Sequence, residues 1–144
     1  MSDRNAQIAA WQTVRDVVME HLALRRAEVH ARLGLSFTRV KALGRLAGGC
    51  LSMGELAAAL DTDPPYTSVI VDDLVQRQLV VRSADPDDRR RKLVGLTAAG
   101  AEYASTAESI LGQPPEGFAS LGAAELGALT AAFRRLGHGA VTTR

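Results

Sequence analysis

The sequence predicts a mainly helical α+β chain carrying one small β-hairpin. Three observations predict it. Long segments repeat apolar residues at spacings of three, four and seven, the period of a helix with one buried face. Glycines and prolines fall between these segments rather than within most of them. A single stretch, 79–96, breaks the helical period and reads as two short strands around a charged turn.

The elements follow in order. From Asn5 to about Leu33 there is neither glycine nor proline, and Ile8, Trp11, Val14, Val18, Leu22 and Val29 mark one long amphipathic helix. Gly34 stops it. A second helix runs from near Ser36 to Leu46, with Val40, Leu43 and Leu46 on one face, and Gly48 and Gly49 end it. Ser52-Met53-Gly54-Glu55 has the form of a capping box, in which serine hydroxyl and glutamate carboxylate satisfy each other's backbone amides. It opens a short helix with Leu56, Ala57 and Leu60 inward. Asp61-Thr62-Asp63 is a turn, and Asp63 caps the next helix, where Pro64 and Pro65 occupy a first turn whose amides need no partner. That helix runs to about Gln78, with Ile70, Val71 and Leu74 toward the core. Leu79 to Ser83 and Lys92 to Leu96 are the hairpin strands. Thr97 starts a helix to about Leu111, 113–117 is a break, a last helix spans about Ala123 to Leu136, and the tail after Gly137 is expected to fray.

Composition narrows the class. A chain of 144 residues, 47% hydrophobic and 23% charged, buries enough surface to fold without disulfide or metal. Its net charge of +1 does not suggest a bulk polyanion binder, so any nucleic-acid binding rests on where charge is concentrated. One cysteine, the lack of a basic-then-apolar start over Met1–Ala10, and no run approaching roughly 18 apolar residues lead to the expectation of a cytoplasmic protein without a membrane span.

Helix, short turn, helix, then hairpin is the order of a winged helix-turn-helix, whose second helix can enter a major groove about 12 Å wide. The wing is the most informative segment. Arg89-Arg90-Arg91-Lys92 sets four cations beside the turn. Planar guanidinium groups there suit phosphate contact and a narrow minor groove. Asp85, Asp87 and Asp88 repel phosphate, and one of them can instead orient an arginine as a paired carboxylate. Taken alone, the segment reads equally as a solvated charged loop. Its place directly after the helix-turn-helix favours the functional reading.

These residues resemble the MarR family of regulators. The resemblance is carried by the wing pattern of Asp88, Arg90, then Leu96-Thr97 opening the next helix, and upstream by Val71, Asp72 and Leu74. It is specific over 51–100 and weak outside it. It implies a winged lobe over 35–97, and a helical dimerisation region formed by 1–34 and 98–144 of two copies. A homodimer would meet a pseudo-palindromic duplex, with half-sites about one helical turn apart. The sequence is consistent with a second partner surface. Val17, Met19 and Leu24 add apolar character to further sides of the first helix, and Leu126, Leu129, Phe133 and Leu136 stripe the last, although an intrachain core also accounts for both.

The candidate DNA contacts are Ser52, Pro65, Tyr66, Thr67, Ser68, Val69, Asp88, Arg89, Arg90 and Arg91. One departure stands out. Relatives often carry an arginine in the recognition helix just after a serine or threonine, and here that place holds Val69. Base reading then falls to Tyr66, Thr67 and Ser68, with Pro65 and Val69 available to thymine methyls, and the wing and DNA shape gain weight. Thr67 reads equally as a core residue. The resemblance further implies an anionic aromatic or lipophilic effector between dimer helices and lobe, for which Trp11, Arg15, His21, Arg25 and Phe37 are candidates, Trp11 also being readable as core.

Cys50, between the second helix and a short strand at Leu51, is expected to be a buried, inert thiol. His21, His30 and His138 lack metal-ligand spacing, and no cofactor or enzyme motif is present. The function expected is a DNA-binding transcriptional regulator, a repressor in the leading form. The alternative is a protein-interaction module whose winged helix has lost DNA binding.

Overall fold

An opening run free of helix breakers becomes a single helix in the computed structural model, which describes residues 2–139. This is α1 (Ser2–Leu33). Gly34 ends it at φ +68°, a left-handed conformation that glycine adopts without a Cβ clash. Its N–H returns to the His30 carbonyl at 2.8 Å. Ser36 caps α2 (Phe37–Leu46), its hydroxyl accepting the Arg39 N–H. After β1 (Leu51–Ser52) comes α3 (Met53–Leu60), opened by the expected capping box: the Ser52 hydroxyl accepts from the Glu55 N–H and the Glu55 carboxylate from the Ser52 N–H, both at 3.1 Å.

Asp63 caps α4 (Pro64–Gln76), and its carboxylate accepts the Tyr66 N–H at 2.7 Å. The helix stops two residues before the expected Gln78. Gln78 turns left-handed at φ 61°, its N–H bonds to the Val75 carbonyl, and the Leu79 N–H reaches back to Leu74 at 3.0 Å. This paired closure buries Leu79, so the strand starts one residue later than expected. Strands β2 (Val80–Ala84) and β3 (Lys92–Leu96) pair antiparallel with Arg82 opposite Val94, and β1 joins the far edge of β3, giving the order β1-β3-β2.

Thr97 caps α5 (Ala98–Leu111) and fixes the root of the hairpin at the same time. Its hydroxyl accepts from Gly100 at 3.0 Å and donates to the Gln78 carbonyl at 2.7 Å, while its N–H donates to the Leu79 carbonyl. Gly100 lies so close to that carbonyl that an added Cβ would stand 1.9 Å from its oxygen.

The described residues divide after Gln113. In the first unit one core joins Val29 of α1, Val40 and Leu43 of α2, Leu56 of α3, Ile70 and Leu74 of α4, Val80 and Val94 of the sheet, and Ala104 and Ile110 of α5. That core runs across the expected boundaries at 34/35 and 97/98, because α1 and α5 supply walls of the lobe itself. The outer part of α1 is different: Ile8, Trp11, Val17, Val18, Met19 and Leu24 are all exposed. Trp11, at 62% exposure, is therefore not a core residue of its own chain.

In the second unit, part of the expected break is a 3-10 turn, Glu116–Ser120, followed by α6 (Ala123–Gly139). Glu125 accepts the Gly122 N–H at 2.9 Å and so fixes the helix start. Leu126, Phe133 and Leu136 are exposed along α6. The helix outlasts the expected Leu136 end, and the rest of the tail expected to fray lies outside the described residues.

Cys50 corrects an expectation. The thiol is exposed rather than buried, because it sits at the sheet edge where β1 begins. Its sulfur lies over β3, 2.7 Å from the position a Cβ on Gly95 would take. The small residue at 95 is what leaves the thiol its place.

Candidate nucleic-acid interface

The hairpin tip is shaped by its own acids. Asp85 Oδ1 accepts the Asp87 N–H at 2.9 Å, and Asp88 Oδ1 accepts the Arg90 N–H at 3.0 Å. Backbone bonds from Asp85 to Arg91 and from Arg91 to Asp88 close the turn. Short carboxylates that bond backbone two residues on are turn formers, which accounts for their presence beside a cationic cluster. They do not neutralise the whole cluster. Arg91 is the arginine that is held: it donates to Glu55 at the start of α3, and its Nε lies 3.8 Å from Asp85. Arg89, Arg90 and Lys92 are exposed and make no ion pair among the described residues. Of the residues expected at the wing, Asp88 therefore builds the turn, Arg91 braces it, and Arg89 and Arg90 project from it.

Glu55 serves two elements at once. The Ser52 backbone N–H, then the Ser52 hydroxyl and Arg91, hold its carboxyl below the usual range. Ser52 is only 8% exposed and its hydroxyl is committed to the cap, so it offers no free contact.

On α4 the expected residues separate. Pro65, Tyr66 and Val69 are exposed, and Ser68 is half-buried. Thr67 is fully buried, its hydroxyl donating to the Asp63 carbonyl and meeting the Thr62 hydroxyl, each at 2.8 Å. It is a core residue that fixes the turn, and base reading by Thr67 is excluded by burial. Asp72 accepts from Arg82 of β2 at 2.5 Å, joining helix to hairpin. Asp73 accepts from Arg39 at 2.6 Å and Arg77 at 2.9 Å, fastening α4 to α2. The Arg39 guanidinium first, then Arg77, holds the Asp73 carboxyl below the usual carboxylate range against the opposing effect of burial.

The five candidate effector residues are not brought together. Trp11 and Arg15 lie on the exposed outer part of α1, with Arg15 3.6 Å from Asp16. His21 Nε2 meets the Gln113 carbonyl at 2.7 Å, and Arg25 pairs with Glu28 at 2.8 Å. Phe37 lines a cavity of about 490 Å³ between α1, α2 and α5. Its wall includes Arg26, Lys41, Arg45, Val40, Ala107 and Glu108, and the Arg26 guanidinium stands 3.9 Å from the Phe37 ring centre. These cations were missed in the sequence, since the helices that bring them together are joined only in the folded chain. Among the described residues there is no cluster of three or more metal-ligating side chains, and no helix is long and apolar enough to cross a membrane.

A capped helix, a three-residue turn, a second helix and a cationic hairpin, sharing one core, define a winged helix-turn-helix of the type that docks on duplex DNA. Residues 33–91 match the profile of the MarR family. A protein of Thauera aromatica, whose name assigns it a transcriptional regulatory role at the hcr operon, is 33% identical over 87 residues. That alignment covers 60% of this chain and about half, 52%, of the relative. Apo wild-type MarR from E. coli superposes with a TM-score of 0.72 at 24% identity, covering 87% of this chain and 93% of that one. MepR of Staphylococcus aureus, described as a regulator of the multidrug efflux pump MepA, gives 0.74 at 21% identity, covering 88% and 95%. At such identities these two likenesses establish the fold.

Proposed function

We propose that this chain regulates transcription as a homodimer, placing two winged lobes on a pseudo-palindromic duplex and acting as a repressor released by a small ligand. The observation that carries the reading is the wing tip, where Arg89 and Arg90 project without an internal partner while Arg91 is spent on holding the hairpin in place. Mutant forms of MarR from E. coli and of MepR have been solved with operator DNA and with an oligodeoxyribonucleotide, respectively, and share this fold with TM-scores of 0.64 and 0.68.

Dimerisation is supported by the exposed apolar residues of α1, from Ile8 to Leu24. A lone helix gains little stability in water without a packed face. On this reading 1–34 and 98–144 carry the dimer contacts and 35–97 meets DNA. The cavity beside Phe37 suits an anionic aromatic effector. Its three cations attract a carboxylate, and Phe37 and Val40 accept a ring.

Fluorescence anisotropy on a selected duplex tests the DNA reading. Arg90→Ala should weaken binding, and the slope of log affinity against log salt should flatten by about one unit, the loss of one phosphate contact. Unchanged affinity and slope in Arg90→Ala and Arg89→Ala would remove the wing from the mechanism. Sedimentation showing only monomer at micromolar concentration would remove the dimer.

A further inference from the structure

We infer that α4 reads thymine methyl groups, so that each half-site presents thymines, and not guanines, to this helix. The inference rests on the DNA reading above and specifies its target. Val69 lies one turn beyond Pro65 and Tyr66 on α4, and all three are exposed, Val69 at 54%. Between Asp63 and Gln76 the helix has no basic residue. The cations paired with this helix are engaged by its own carboxylates: Arg82 by Asp72, and Arg39 and Arg77 by Asp73. No forked donor is therefore free on this face to meet O6 and N7 of guanine, the contact by which helices commonly select that base.

The first turn of α4 reinforces the assignment. Pro64 and Pro65 have no N–H, and the amides of Tyr66 and Thr67 are taken by Asp63. The helix start thus has little to offer a phosphate, and positioning on the backbone falls to Arg89 and Arg90. Besides the Tyr66 hydroxyl and the half-buried Ser68, what α4 presents to the groove is apolar surface. Set against guanine, that surface would cover two acceptors and leave them unpaired, which is costly. Set against thymine, it covers a methyl group, which is favourable.

The test uses the full chain and a random-sequence duplex pool. Selection should enrich half-sites with thymines at the positions facing α4. Replacing each such thymidine by deoxyuridine, which removes only the methyl, should weaken binding about four-fold, the worth of one buried carbon. Val69→Ala, an exposed change that spares the core, should weaken the selected duplex and abolish the deoxyuridine effect at one position. Val69→Arg should shift selection there toward guanine. Enrichment of guanine-centred half-sites by the unaltered chain, or indifference to deoxyuridine, overturns the inference while leaving DNA binding intact. Failure to enrich any duplex over scrambled controls overturns both.

Discussion

Gly100→Ala isolates the contact on which the hairpin's orientation depends. The new Cβ would stand 1.9 Å from the Leu79 carbonyl oxygen and 2.9 Å from its carbon. An ordinary carbon–oxygen contact is about 3.3 Å or more, so the two backbones must part by more than about 1 Å. That carbonyl also accepts the Thr97 N–H at 3.1 Å, so moving it weakens a hydrogen bond worth about 1 kcal/mol. Overpacking of a tight site adds about 1–3 kcal/mol. Alanine's better helix propensity returns at most about 1 kcal/mol. The net expectation is a loss of about 1–3 kcal/mol, a large share of the roughly 5–15 kcal/mol that holds a domain. Gly44→Ala is the control. It sits in α2 with open space around its Cβ position, and the same change should stabilise by about 0.5–1 kcal/mol. Urea unfolding followed by circular dichroism, at one protein concentration, gives both values. If Gly100→Ala unfolds within about 0.5 kcal/mol of the unaltered chain, the close approach described here is wrong.

Two further outcomes follow from the ion pairs. Asp73→Asn should cost about 1 kcal/mol at pH 7, since it removes two partly buried pairs at one carboxylate. Because the folded carboxyl titrates below its unfolded value, this stabilisation is complete above the unfolded pKa of about 3.9 and is lost as the pH falls through the folded one. Urea midpoints of the two proteins should therefore converge on acidification, and a constant gap down to pH 2 counts against the pairing. Glu55→Gln keeps both capping hydrogen bonds but loses the charge that holds Arg91. Helix content should stay unchanged while tryptic cleavage at the wing tip accelerates several-fold, and equal cleavage rates would show that Glu55 does not brace the wing.

What could be read from the sequence was whatever depends on neighbours along the chain. Caps at Ser52 and Asp63 came from local hydrogen-bonding chemistry, and the structure has both. The inward set Leu56, Ile70 and Leu74 followed from helical period. Contacts spanning many residues were not legible. Nothing near Glu55 announces Arg91, 36 residues away, although the capping box had already marked Glu55 as a fixed carboxylate. Thr67 left both readings open, and its choice of the core depends on the Thr62 hydroxyl across the turn. Cys50 misled because cysteine is commonly buried, while a two-residue edge strand leaves it outside. The effector candidates scattered because aromatic and cationic residue types on α1 say nothing of which stretch of that helix faces α5.

One helix links two places described separately. The stretch that closes the cavity, Ala104 to Leu111, continues from the turn in which Gly100 rests on the hairpin's root. From Gly100 to Ala107 is seven residues, about 10 Å of axis, with neither glycine nor proline between to absorb strain. Such a segment behaves as a stiff rod seated at one end on the Leu79 carbonyl. On the proposed reading, a guest that wedges α5 away from α2 would tilt the rod and shift the root of the hairpin at Leu79.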